Sequence, residues 1–123
     1  MQLGPLFEVI VYCSDMQKQV EFYRDTLGLA VAWPEKDDYS GEHWVQLASE
    51  GAILALHSGG QATTGTPTRF GFRTSDIHGD REALLDKGVR CGDVREAAPG
   101  VQVADCWDPE ATPFFLEQRE EKY

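Results

Sequence analysis

The chain has 123 residues, of which 41% are hydrophobic and 11% aromatic, which is enough to bury the core of one domain. Its formal net charge of −10, from 21 acidic and 11 basic residues, disfavours binding to nucleic acid or to an anionic membrane and would attract cationic ligands. No apolar run approaches the roughly 20 residues of a membrane span, and the segment 1–5 lacks the order of a signal peptide. We therefore expect a single cytoplasmic domain with no nucleic-acid or membrane partner.

Three cysteines, Cys13, Cys91 and Cys106, give an odd count without a CxxC pair. A disulfide framework or a structural zinc site needs a denser pattern than this. Small buried thiols in a reducing compartment are the simpler interpretation.

The first half of the chain predicts the order β-α-β-β-β. An extended run over 8–13 closes at Ser14-Asp15, and Asp15 is a good N-cap for an amphipathic helix from Met16 to Leu27 that ends at Gly28. Three further strands are predicted over Ala30–Pro34, His43–Ala48 and Ile53–His57.

The second half repeats this order about 60 residues later. Arg69 begins an extended run that closes at Ser75-Asp76, and a helix is predicted from Ile77 to Lys87 before Gly88. Strands follow over about 89–95, 101–107 and 113–117. The half-repeats span approximately 5–58 and 68–119, and the Gly-, Thr- and Pro-rich segment 59–67 is the predicted linker. The fold class is thus α+β, with two βαβββ modules that form a curved mixed sheet around a cleft.

The residues that carry a family resemblance are Ser14-Asp15-Met16, the helix end 21–28, Leu54-Ala55-Leu56-His57, and Asp108-Pro109-Glu110 before the last strand. Together they resemble the vicinal oxygen chelate superfamily, which includes glyoxalase I, the bleomycin resistance proteins and the extradiol dioxygenases. The usual Asp-Pro-Asp-Gly-Asn turn of that family is altered here to the sequence of residues 108–112.

The resemblance also places the metal ligands of metal-dependent members at Glu8, Ala55, Arg69 and Phe115. Ala55 and Phe115 have no donor atom, and the guanidinium of Arg69 repels cations, so this register predicts no metal site and no cofactor. Glu8 and Arg69 are equivalent in the two halves, and they either pair to staple the sheets or hold a ligand. A shifted divalent-metal site of Glu8, His57 and Glu117 is the fallback.

His57 and Glu117 lie two residues beyond the lost ligand positions and are equivalent in the repeat. With Glu8 and Arg69 they are the candidate acid–base residues of an enzyme. Candidate ligand-binding residues are the aromatic and apolar side chains expected to line the cleft: Tyr12, Trp33, Trp44, Ala55, Phe72, Trp107 and Phe115.

Two functions remain open. The first is a metal-independent small-molecule-binding protein similar to the bleomycin resistance branch, which sequesters a cationic or aromatic ligand. The alternative is a glyoxalase-like lyase or isomerase that uses acid–base residues or a displaced divalent metal. The resemblance implies a homodimer in either case, because family clefts are often completed by a second chain.

Overall fold

The computed structural model describes residues 8–58 and 70–120, and the chain divides into two compact units, Met1–Thr63 and Thr64–Tyr123. The predicted linker 59–67 and Arg69 lie outside the described residues. No helix within the described ranges is both long and apolar enough to cross a bilayer.

The first unit is a four-stranded mixed sheet with a helix on one face. The elements are β1 (Glu8–Cys13), α1 (Met16–Glu21) continued by a π-helical turn (Phe22–Thr26), β2 (Ala30–Trp33), β3 (Trp44–Ala48) and β4 (Ile53–Ser58). Strands β1 and β4 run parallel, and the sheet order is β1-β4-β3-β2 with antiparallel pairing elsewhere.

Alternation along the strands determines which face of this sheet the helix covers. Val11 and Cys13 of β1 are buried, whereas their neighbours Ile10 and Tyr12 are exposed, so period two sends one set of side chains toward α1. Val20 and Tyr23 of the helical segment are fully buried. The core of this unit therefore lies between α1 and one side of the sheet, and no helix formed by residues 8–58 covers the other side.

The second unit has the same plan with one strand more. The elements are β5 (Phe70–Arg73), α2 (Ile77–Asp86), β6 (Arg90–Cys91), β7 (Arg95–Ala98), β8 (Val101–Trp107) and β9 (Pro113–Arg119). The sheet order is β5-β9-β8-β6, with β7 also paired to β8; β5 and β9 are parallel and the other pairs antiparallel.

The core of the second unit lies under α2. Ile77 of the helix is fully buried, as are Phe114 and Cys106 on the strands below it. The backbone N–H of Ile77 also donates to the Gln118 side chain at 2.9 Å, which ties the start of α2 to β9.

Both predicted helix starts and ends are confirmed. Asp15 accepts from the Lys18 N–H and Asp76 from the Gly79 N–H, each at 3.1 Å. Gly28 and Gly88 follow the helices with φ of 82° and 81°, a left-handed conformation that glycine adopts without a Cβ penalty.

The main difference between the predicted and the observed elements is in the segment 89–95, which was predicted as one strand. The structure has two short strands there, β6 and β7, which are separated by Gly92-Asp93-Val94 and are both paired with β8. The Gly92 carbonyl accepts from Arg81 of α2 at 2.7 Å, so the chain leaves the strand path where the helix holds it. The alternation of hydrophobic residues along the sequence gives no sign of this interruption, because it depends on a contact with a separate helix.

The register of the two parallel pairs reproduces the half-repeat. Tyr12 is opposite His57 in the first unit, and Arg73 is opposite Glu117 in the second. The α+β class, with two mixed sheets and one helix against each, is confirmed.

Candidate functional site

The face of the first sheet away from α1 carries all the first-unit residues predicted for a site; we call it the aromatic face. The register of the strands places them there, because directly paired residues of a sheet point to the same face. Tyr12 and Trp44 are both opposite His57. Ile10 and Gln46 are both opposite Ala55, and Trp33 is opposite Gln46. The members are Glu8, Ile10, Tyr12, Trp33, Trp44, Gln46, Ala55 and His57.

His57 is the centre of this face. Its ring lies between those of Tyr12, with ring centroids 5.4 Å apart, and Trp44, at 5.7 Å in an edge-to-face arrangement. These separations are typical of favourable aromatic pairs. Three neighbouring strands thus contribute one ring each to a continuous aromatic row.

The hydrogen bond of His57 determines which ring nitrogen acts as a donor. Nδ1 lies 2.7 Å from the backbone carbonyl oxygen of Ser58, and a carbonyl only accepts. Nδ1 therefore donates in this contact, and in the neutral tautomer Nε2 is a hydrogen-bond acceptor. That acceptor would lie in the middle of the aromatic surface.

The aromatic face is open to solvent at its large apolar side chains. The exposed fractions are 42% for Ile10, 39% for Tyr12 and 59% for Trp33. Ala55, in the middle of this face, is fully buried and has a small side chain that lies between Ile10 and Gln46. Exposed apolar surface of this kind is typical of a ligand or protein contact rather than of a free surface.

Glu8 shares this face but lies far from His57. It is opposite Ile53, four residues along the sheet from the Tyr12–His57 pair, which is roughly 13 Å of strand rise. Metal–ligand bonds are about 2 Å long, so Glu8 and His57 do not share one ion in this arrangement. Nor does the structure place them in reach of a common substrate atom.

In the second unit the predicted site residues are divided between the two faces of the sheet. Phe115, Glu117 and Trp107 lie on the side away from α2, since Phe115 is opposite Asp105 and Trp107 is opposite Arg90. Phe72 lies on the helix side, where it packs with Phe114 at 5.9 Å between ring centroids. The structure therefore places Phe72 half-buried on the helix side of the sheet and does not group it with the other candidates.

The predicted site residues of the second unit that lie away from α2 already have partners within the same unit. Glu117 forms a two-point pair with Arg119, at 2.7 and 3.2 Å, and this hydrogen bonding lowers the pKa of Glu117. The Arg90 guanidinium carbon lies 4.2 Å from the centre of the Trp107 ring. The Phe115 ring lies so close over Gly71 that a Cβ at that position would clash with the ring atoms.

Within 8–58 and 70–120, no group of three or more His, Cys, Asp or Glu side chains is arranged to hold a metal ion. Arg69, the predicted partner of Glu8, lies outside those ranges.

Known proteins similar to the chain identify its family. Residues 6–111 match the model of the Glyoxalase/Bleomycin resistance protein/Dioxygenase superfamily. The chain belongs to this superfamily. The Bacillus subtilis (strain 168) protein YraH, itself uncharacterized, is 26% identical over 95 residues, covering 70% of this chain and 74% of that protein.

Solved structures agree with this assignment and confirm the predicted fold. A glyoxalase family protein from Bacillus anthracis has a TM-score of 0.80 at 13% identity, covering 98% of both chains. TnmS3, an antibiotic-binding protein from Streptomyces sp. CB03234, has a TM-score of 0.73 at 25% identity, covering 98% of this chain and 99% of that one.

A divalent metal does not fit two of the four positions that the resemblance assigns to its ligands. Ala55 offers no donor atom, and Phe115 presents a ring that packs over Gly71. Carboxylate, imidazole or thiolate donors are required for such an ion. We therefore derive no chemistry through a metal.

Some parts of the site were not predicted from the sequence. Ile10 and Gln46 belong to the aromatic face, and period-two alternation from Tyr12 and Trp44 would have found both. The Ser58 carbonyl that sets the tautomer of His57 left no signal in the sequence, because backbone acceptors depend only on local geometry.

Proposed function

We propose that this protein binds a small, planar aromatic molecule on the aromatic face without a metal. The observation that carries the proposal is the row of Tyr12, His57 and Trp44 rings on a face where Ile10 and Trp33 are open to solvent. Aromatic walls with few convergent polar groups are typical of small-molecule sites. Membership of the superfamily and the antibiotic-binding relative support this choice.

Electrostatics favour a ligand with a positive charge. The rings present electron-rich faces that attract cations, and Glu8 adds a carboxylate at one end of the same face. The chain as a whole carries a formal net charge of −10, which raises the local concentration of cations.

The Nε2 lone pair of His57 supplies the polar anchor. A ligand with an N–H or O–H group near its aromatic plane would donate to this atom, and one without such a group would leave it unpaired. The preferred ligand class is thus a cationic aromatic molecule with a hydrogen-bond donor, sequestered rather than transformed.

The test is binding of a cationic acridine dye that carries an amino group, measured by tryptophan fluorescence quenching and by calorimetry after exhaustive treatment with a chelator. Trp44→Ala and Tyr12→Ala should each weaken binding by about 2- to 10-fold, because an aromatic pair contributes roughly 0.5–1.5 kcal/mol. Leu85→Ala, which removes an exposed apolar side chain of α2, is the matched control and should bind as the unaltered protein does. Binding that needs an added divalent metal, or that is equal in all three variants, would overturn the proposal.

An acid–base enzyme is the second candidate, and the hydrogen bond of His57 favours it because donation from Nδ1 leaves Nε2 as the general base of the neutral tautomer. Such a lyase or isomerase would turn over the hemithioacetal of glutathione and a 2-oxoaldehyde, and His57→Gln would lower kcat by about 10²-fold or more. Absence of turnover, with dye binding intact, would eliminate this candidate and leave the first.

A cytoplasmic homodimer belongs to the same proposal. Trp33 is on β2, an edge strand of the sheet, and its large exposed fraction suits contact with a second chain. The row of Tyr12, His57 and Trp44 rings lies on the other three strands and would remain available to a ligand. Light scattering should give twice the chain mass at micromolar concentration, and Trp33→Lys should shift the equilibrium to monomer. A monomer at every concentration would refute this element of the proposal without affecting the dye test.

A further inference from the structure

Two of the three cysteines face each other across adjacent strands. Cys91 of β6 is directly opposite Cys106 of β8, and both are free thiols. Opposite residues of antiparallel strands have Cα atoms about 4.5–5.5 Å apart, within the roughly 4.4–6.8 Å that a disulfide spans. Cys13, the remaining cysteine, is buried in the first unit.

The hydrogen-bond pattern brings these two side chains close together. The Gly92 N–H donates to the Asp105 carbonyl at 2.7 Å, so the neighbouring Cys91–Cys106 position is a non-hydrogen-bonded pair. Side chains at such positions approach more closely than at hydrogen-bonded ones. Cross-linking the two sulfurs therefore requires little movement of the backbone.

The two thiols differ in access. Cys106 is fully buried, and burial together with a hydrogen bond to Cys91 raises the pKa of its thiol to about 12. Cys91 is half-buried, so an oxidant reaches it first. The Arg81 guanidinium, held at the Gly92 carbonyl beside the pair, opposes the rise in the Cys106 pKa.

We propose that Cys91 and Cys106 form a peroxide-sensitive thiol pair that closes to an intramolecular disulfide. The Cys91 thiolate attacks hydrogen peroxide, the O–O bond breaks, and Cys91 becomes a sulfenic acid as the departing hydroxide takes up a proton. The Cys106 sulfur then attacks the Cys91 sulfur, the S–O bond breaks, and the Cys106 proton leaves with the hydroxide as water. Two thiols and one peroxide thus give one disulfide and two waters.

The cross-link would stabilise a small and weakly held element. Strand β6 has only two residues, and its first, Arg90, lies over the Trp107 ring at 4.2 Å. Because Trp107 follows Cys106 directly, a bond between the sulfurs would fix the strand that holds this cation–π pair.

Oxidation of the folded protein tests the inference. After peroxide treatment and alkylation of the remaining thiols, the intact mass should show loss of two hydrogen atoms and one alkylated cysteine, and peptide mapping should join Cys91 to Cys106. The oxidised protein should unfold at a higher urea concentration than the reduced protein, since a closed loop restricts the unfolded chain. Added dithiothreitol should reverse both changes.

Single variants separate this pair from general oxidation. Cys13→Ser should behave as the unaltered protein does, whereas Cys91→Ser, at a half-buried position, should lose the two-hydrogen mass change and the urea shift. A Cys91 that is oxidised to sulfinic acid without joining Cys106, or a cross-link that includes Cys13, would overturn the proposal.

Discussion

At the scale of single residues, Ala111 shows where this chain departs from its family. It has φ of 65°, a left-handed conformation in which a Cβ costs roughly 1 kcal/mol, at the altered turn before β9. The buried Asp108 fixes the turn, accepting from the N–H groups of Glu110 and Thr112, each at 2.9 Å. We expect Ala111→Gly to stabilise the protein by up to about 1 kcal/mol in urea unfolding, the gain being limited by the entropy of glycine in the unfolded chain.

A matched substitution checks the sign of this effect. Ala83 is exposed in α2 with helical geometry, where Ala→Gly costs about 1 kcal/mol. If Ala111→Gly and Ala83→Gly destabilise the protein equally, the turn does not select for glycine.

Also at the residue scale, the Glu117–Arg119 pair predicts a pH dependence. Its hydrogen bonds lower the pKa of Glu117 from 4.5, so the folded state favours the charged carboxylate. The resulting stability is present well above pH 4.5 and is lost as pH falls through the lowered folded pKa, because the unfolded chain takes up the proton first. A pair this near the surface contributes up to about 1 kcal/mol.

Urea unfolding at pH 7 and at pH 3 measures this contribution. Glu117→Gln should destabilise the protein at pH 7 and make little difference at pH 3, and Arg119→Gln should show the same pattern. A Glu117→Gln deficit of equal size at both pH values would mean that packing, not charge, accounts for it.

At the scale of elements, the helix starts are the parts of the fold most directly determined by local sequence. The Asp76 carboxylate accepts from the Gly79 N–H, one of the groups that the first turn of α2 leaves without a helical partner. Asp76→Ala should cost about 1 kcal/mol in thermal or urea unfolding, whereas Asp76→Asn, which keeps an oxygen acceptor, should cost much less. Equal losses in the two variants would show that charge at the helix start, rather than capping, is responsible.

Elements also show how far the sequence predicts this structure. Asp15, Asp76, Gly28 and Gly88 bound the helices by interactions within a few residues, so their positions can be predicted from local pattern. The break between β6 and β7 depends on the contact of Arg81 with Gly92, eleven residues away, and no local pattern encodes it. The same holds for Phe72: its place on the helix side of the sheet is set by pairing with β9, a strand about 40 residues later.

For the candidate site, local pattern gave the residues but not their grouping. Period two predicts that Tyr12, Trp44 and His57 alternate out of the core, yet only the register of three strands places their rings side by side. The equivalence of His57 and Glu117 did follow from the repeat alone, because the half-repeat preserves register. Their chemistry nonetheless differs, since Glu117 is bound to Arg119 and His57 lies among aromatic rings.

At the scale of the whole molecule, the net charge of −10 and the aromatic face make separable contributions to binding. The field of the chain acts over distance and is screened by salt, with a Debye length of about 10 Å at 0.1 M, whereas ring contacts are not screened. Raising sodium chloride from about 0.01 M to 0.3 M should therefore weaken binding of the cationic dye several-fold, and should leave a neutral aromatic analogue of the same shape nearly unchanged. Glu8→Gln should remove part of the salt dependence, while Glu21→Gln in α1, the helix on the other side of the same sheet, should remove less, because a charge on the aromatic face acts at shorter range. Equal salt dependence for the charged and the neutral dye would show that charge plays no part in ligand choice, and the ligand class would then reduce to neutral aromatic molecules held by the rings alone.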